Sequence, residues 1–122
     1  MPKTILVVDD NRDFLHLMEL TLQKEGYAVL LAESALKASD LLEQRLPDAI
    51  LLDIMMPARN GLEFLEDLRW DARYEKIPVL VVTAMLLSDE EREFVEEFSV
   101  MCLDKAKAAQ IAEHLRTVLG TD

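Results

Sequence analysis

The chain has 122 residues, 51% apolar and 30% charged, with 24 acids against 13 bases and a net charge of −11. These totals suit one globular domain whose core needs no staple, and they exclude a disordered or fibrous chain. The acid excess argues against direct nucleic-acid binding, and the single cysteine, Cys102, excludes an internal disulfide or a CxxC metal site.

The opening Met-Pro-Lys-Thr leads straight into a first apolar run, Ile5 to Val8, with no leader-like stretch. No apolar run approaches membrane-spanning length, so a soluble cytoplasmic protein is expected. A helical pattern follows, with Phe14, Leu15, Met18 and Leu22 on one face and Gly26 as its stop. Then come a run at Ala28 to Leu31 and a helix over roughly Ala35 to Arg45. The third run is Ala49 to Leu52, followed by a helix from Gly61 to Trp70. The fourth is Val79 to Val82, with a helix from about Asp89 to Phe98. The last is Val100 to Leu103, with a helix from about Lys107 to Leu119. Capping patterns mark two helix starts, Asn60 with Glu63 and Ser88 with Glu91.

The apolar runs are continuous rather than alternating, as expected for strands buried on both faces of a parallel sheet. Five strands alternating with five helices imply an α/β, flavodoxin-like (βα)5 doubly wound sheet of order 2-1-3-4-5. Sites in such sheets lie beyond the carboxyl ends of the strands, near the switch point between strands 1 and 3.

Those ends carry Asp9 and Asp10, then Asp53, then Thr83, then Asp104 and Lys105. Three clustered carboxylates repel one another, and a hard divalent cation answers that repulsion. Carboxylates, a cation, a lysine and a hydroxyl together suit phosphoryl transfer, which depends on positioning and charge neutralisation. Asp53 is the best nucleophile, since Asp9 and Asp10 form a pair suited to metal.

Over nearly its whole length the chain resembles the receiver domains of two-component response regulators. The matching segments are Ile5-Leu-Val-Val-Asp-Asp-Asn, Leu51-Leu-Asp-Ile-Met-Met-Pro with Gly61, Val81-Val-Thr-Ala and Leu103-Asp-Lys105. The resemblance implies one receiver domain over residues 1–122, with Asp53 taking a phosphoryl group from a histidine kinase or phosphotransfer protein. It implies Mg2+ held by Asp9, Asp10, Asp53 and the Met55 backbone carbonyl. Lys105 and Thr83 would contact the phosphoryl oxygens, and Asn11, Arg12 and the first helix would meet the donor. Catalysis is limited to the domain's own phosphorylation and dephosphorylation. A downstream protein and self-association into a homodimer complete the partner expectations; nucleic acid and membrane are not among them. Met55 and Met85 stand where the family places side chains that flank attacking water, which implies a long-lived phosphoryl group.

Three positions near strand 5 depart from the family. Ala106 replaces a proline after Lys105, Phe98-Ser99 replaces Gly-Ala, and Cys102 replaces an aromatic residue that turns inward on activation. These departures favour one alternative, a receiver-like interaction module that works without phosphorylation. Two further readings rank lower. A dehalogenase-type phosphatase needs an Asp where Asn11 stands, and a flavin mononucleotide binder needs a phosphate loop where Asp9-Asp10-Asn11 stands. His16 and His114 are expected in surface or packing roles, Cys102 as a small hydrophobe, and the acids of residues 89–97 as a solvated face. Trp70 and Tyr74 are expected to close the end of the third helix.

Overall fold

The computed structural model describes residues 2–56, 61–84 and 86–120. Five strands, β1 (Thr4–Val8), β2 (Ala28–Ala32), β3 (Ala49–Leu52), β4 (Val79–Thr83) and β5 (Met101–Asp104), form one parallel sheet in the order β2-β1-β3-β4-β5. Between and after them run α1 (Arg12–Lys24), α2 (Ala35–Gln44), α3 (Gly61–Trp70), α4 (Asp89–Phe98) and α5 (Ile111–Leu119).

Side chains alternate across a strand, so a run apolar at every position must have cover on both faces. The two cores divide accordingly. Leu6, Val8, Ile50, Leu52, Val79 and Val81 pack with buried residues of α2, α3 and α4. Ile5, Val7, Ala49, Leu51, Leu80 and Val82 pack with those of α1 and α5.

Helix starts follow local chemistry. Asn11 and Ser34 cap α1 and α2 through their side chains. Ser88 and Glu91 form a reciprocal capping box on α4, as the sequence predicts. The expected cap at Asn60 lies outside the described residues, as does Met85. Gly26 takes φ 93° just after α1, which stops that helix in a conformation that favours glycine.

The last helix differs from expectation. Lys105–Gln110 is a 3-10 segment, interrupted at Lys107 with φ −102° and ψ 28°, and α5 begins only at Ile111. The Asp104 carboxylate accepts from the Ala106 amide and caps the tighter turn, whereas Gln110 gives α5 no side-chain cap. Among the described residues no peptide bond is cis, including the one before Ala106. At Ser99 the chain leaves α4 in extended backbone, φ −121°, so no left-handed turn is needed; the Ser99 hydroxyl donates to the Val95 carbonyl.

Gly61 fixes how α3 sits against the loop after β3. A Cβ there would lie 2.3 Å from Ile54 Cα and 2.9 Å from the Asp53 carbonyl oxygen, both backbone atoms. Gly61→Ala removes a poor helix former, a gain of about 1 kcal/mol. The clash should reverse that sign and leave a net loss of about 1–3 kcal/mol in urea unfolding. Equal or greater stability would show that the loop yields freely and that the contact constrains nothing.

Candidate functional site

The site is built at the carboxyl ends of β1, its neighbour β3, and β5 beyond β4. Asp9 follows β1, Asp53 follows β3, and Lys105 follows β5. Backbone pairing sets the acids side by side, since the Asp9 amide donates to Ala32 and the Asp53 amide to Val8. Each carboxylate is then turned by a local bond. The Asn11 amide donates to Asp9 Oδ1 at 2.8 Å, and the Met55 amide to Asp53 Oδ1 at 3.0 Å.

Ligand oxygens of Asp9, Asp10 and Asp53 all lie within 4.8 Å of one another. Asp9 and Asp53 are buried, 1% and 5% exposed, while Asp10 is exposed and opens the cluster to solvent. Lys105 Nζ is 2.7 Å from Asp9 Oδ2 and 3.1 Å from Asp53 Oδ2. The bond to Asp53 is a hydrogen bond, whereas the contact with Asp9 is an ion pair that leaves Oδ2 without an aligned donor. Three carboxylates against one ammonium leave two negative charges uncompensated, with Lys105 shared between Asp9 and Asp53. An all-oxygen donor set with that deficit fits a hard divalent cation.

Burial raises the Asp9 carboxyl above its ordinary pKa, against the Lys105 contact and the Asn11 amide, and the Asp53 charge adds to the rise. Burial opposes the Lys105 ammonium, but Asp9 and then Asp53 outweigh it and raise the Lys105 pKa. The described chain places Phe14 here as well, with Lys105 Nζ 4.5 Å from the centre of its ring. Sequence reasoning assigned Phe14 to the core alone, because an apolar helix position reads the same whether it covers leucine or an ammonium.

Thr83 is buried at the end of β4, opposite Asp104 in the register. Beside it, Thr83, Leu87, Cys102, Leu103 and His114 help line a cavity of about 410 Å3. Cys102 is half-buried against the core on the α2–α4 side, and burial raises its thiol pKa, which suits a small hydrophobe rather than a nucleophile. The Met55 side chain is exposed next to the cluster. His16 is exposed near Glu19, and the acids of α4 are largely solvated, as expected. Tyr74 is buried after α3, but Trp70 does not close that helix: it is 75% exposed, its ring 6.4 Å from that of Phe98.

The response regulator receiver domain family matches residues 5–116. The chain is 43% identical over 84 residues to the response regulator MprA of a Mycobacterium species, and it spans 36% of that protein's length. It is 38% identical over 93 residues to the polar-differentiation response regulator DivK of Brucella anthropi, covering 75% of this chain and 76% of DivK. Among solved structures, it superposes on the receiver domain of the Pseudomonas aeruginosa sensor histidine kinase PA1611. That match has a TM-score of 0.86, 25% identity, and coverage of 99% of this chain and 100% of the other. The PA1611 structure holds a magnesium ion in its active-site cleft.

Raised carboxyl pKa has a definite sign for stability. The fold binds the Asp9 proton more tightly than the unfolded chain does, so ionising Asp9 costs stability as pH rises through and above 3.8. The Lys105 pKa is raised too, so its contribution has the same sign in a higher window: it is fully present at neutral pH and is lost as pH rises above 10.5. Asp9→Asn keeps an acceptor for Asn11 and removes the buried charge, so its melting temperature at pH 7 in EDTA should exceed that of the parent chain by several degrees. A lower melting temperature would mean that the ion pair with Lys105 outweighs desolvation.

Proposed function

The chain belongs to the response regulator receiver domain family of two-component systems, and from that premise we propose that it takes a phosphoryl group onto Asp53 and uses the added charge as a signal. One observation carries the reading: three carboxylates within 4.8 Å share a single ammonium at the ends of β1, β3 and β5. Residues 1–122 are read as one receiver domain. The donor is a phosphohistidine on a histidine kinase or phosphotransfer protein, and the output is an encounter with a downstream protein in the cytoplasm.

Asp53 acts as nucleophile. Its carboxylate oxygen forms the new O–P bond while the N–P bond to the donor imidazole breaks, and the imidazole leaves with the electron pair and takes up a proton. Lys105, already 3.1 Å from Oδ2, turns to the phosphoryl oxygens and offsets their charge. Thr83, from the end of β4, donates its hydroxyl to the same oxygens once phosphorylation has added about −1.5 to −2 charges. Asp9, Asp10, Asp53 and the Met55 carbonyl would hold magnesium. Bound there, it supplies the positive charge that three acids and a phosphoryl group otherwise lack. The unbalanced charge of the three carboxylates and the magnesium in the PA1611 receiver both support that assignment.

Arg12, exposed at the start of α1, stands on the side from which the donor would approach. Cys102 offers little bulk to swing inward toward Thr83, so conformational change should stay close to residues 83–88 and Ala106.

Intact mass after incubation with acetyl phosphate and magnesium tests the proposal. The parent chain should gain one phosphoryl adduct and Asp53→Asn none. Met55→Asn should shorten the adduct's life several-fold, since an amide can orient water that a thioether only shields. No adduct on the parent chain would favour the phosphorylation-independent interaction module.

A further inference from the structure

Trp70, the last residue of α3, leaves 75% of its surface in water. Its ring centre is 6.4 Å from that of Phe98, and Phe98 is 4.8 Å from Phe94, both pairs tilted. Phe94 and Phe98 are themselves only partly buried. The three rings make a continuous ridge from the end of α3 along α4. Aromatic side chains of this size dominate protein interfaces and are seldom left in solvent without a use.

The ridge has an acidic rim. Glu66 lies one helical turn before Trp70, Glu90 one turn before Phe94, and Glu97 beside Phe98. Glu93 and Glu97 are both exposed at the spacing where like charges repel on a helix. The last turn of α4 holds no base, so Glu96 and Glu97 also face the negative end of the helix dipole. Arg92 is the one base on α4, while Arg69 donates to the Tyr74 and Ile77 carbonyls and Arg73 pairs with Asp71. Among the described residues, Glu66, Glu90, Glu93 and Glu97 form no ion pair. Arg92 alone offsets only part of the charge of the six acids on α4, and an incoming cation would relieve the rest.

We propose that the Trp70–Phe98–Phe94 ridge docks a cationic amphipathic helix of a partner protein. Apolar side chains of that helix cover the rings, while its Lys and Arg meet Glu66, Glu93 and Glu97. Charge decides against other occupants. A second copy would oppose two acidic rims, and an anionic lipid surface would repel a chain of net charge −11. The surface is distinct from the carboxylate cluster and needs no phosphoryl group.

The test titrates the full chain into a labelled synthetic helix of about 18 residues, leucines on one face and lysines on the other, at about 0.15 M salt. A matching leucine–glutamate helix serves as control. Anisotropy should report binding of the lysine helix only. Trp70→Ala, a change at an exposed position, should weaken it about tenfold or more. Glu93→Lys combined with Glu97→Lys should do the same. Asp40→Lys combined with Glu113→Lys alters charge equally on α2 and α5 and should change affinity less than about twofold. Three results would overturn the proposal: equal weakening by both charge pairs, no loss in Trp70→Ala, or equal binding of the glutamate helix. Concentration-dependent dimers abolished by Trp70→Ala would identify a second copy as the occupant and overturn it as well.

Discussion

One ammonium joins three strands of the sheet. Lys105 Nζ reaches Asp9 at 2.7 Å and Asp53 at 3.1 Å, so the ends of β1, β3 and β5 meet through a single charge. Parallel pairing brings these ends to one edge, but it also forces buried carboxylates together, which the sheet's own hydrogen bonds cannot neutralise. The ammonium relieves that repulsion only in part. It makes the fold tolerable and leaves a pocket of unbalanced negative charge, which is what the proposed phosphoryl transfer with a divalent cation would use.

The neighbouring structure serves to hold that ammonium and its acids in register. Phe14 places a ring beneath Lys105, and the capped 3-10 turn after Asp104 sets where the side chain leaves β5. On the other side, Gly61 lets α3 approach the backbone of Asp53 and Ile54 more closely than any side chain would permit. The amides of Asn11 and Met55 hold one oxygen of each buried acid and leave the other turned toward Lys105. The departures near β5, Cys102 and Ala106, leave these contacts in place. They alter what lies beside Thr83 rather than the carboxylate cluster.

Much of this was legible in the sequence, for physical reasons. Runs such as Ile5–Val8 and Val79–Val82 are apolar at every position because alternate residues enter different cores, and that pattern predicts the parallel sheet. The strand order followed from five strands alternating with five helices in a chain this short. Acids and a lysine at strand ends stood out because nothing apolar explains them. Other features had no such signal. Phe14 reads as core whichever group it covers. Lys105–Gln110 lacks a proline or glycine to mark its tighter turn, so it read as a loop and the beginning of a longer α5. Trp70 read as a helix closure because sequence gives hydrophobicity without giving position, and only the placement of α4 shows the ring standing in water.

The central claim is that the buried acids are undercompensated by Lys105 and complete their balance with a divalent cation. Carbon-13 NMR titration of the Asp9 carboxyl, followed across pH in EDTA and again in saturating magnesium, tests this most directly. The account predicts titration above the ordinary aspartate range in EDTA and a large downward shift with magnesium, because a bound cation favours the ionised form. An Asp9 carboxyl that titrates at its ordinary pKa and ignores magnesium would contradict it.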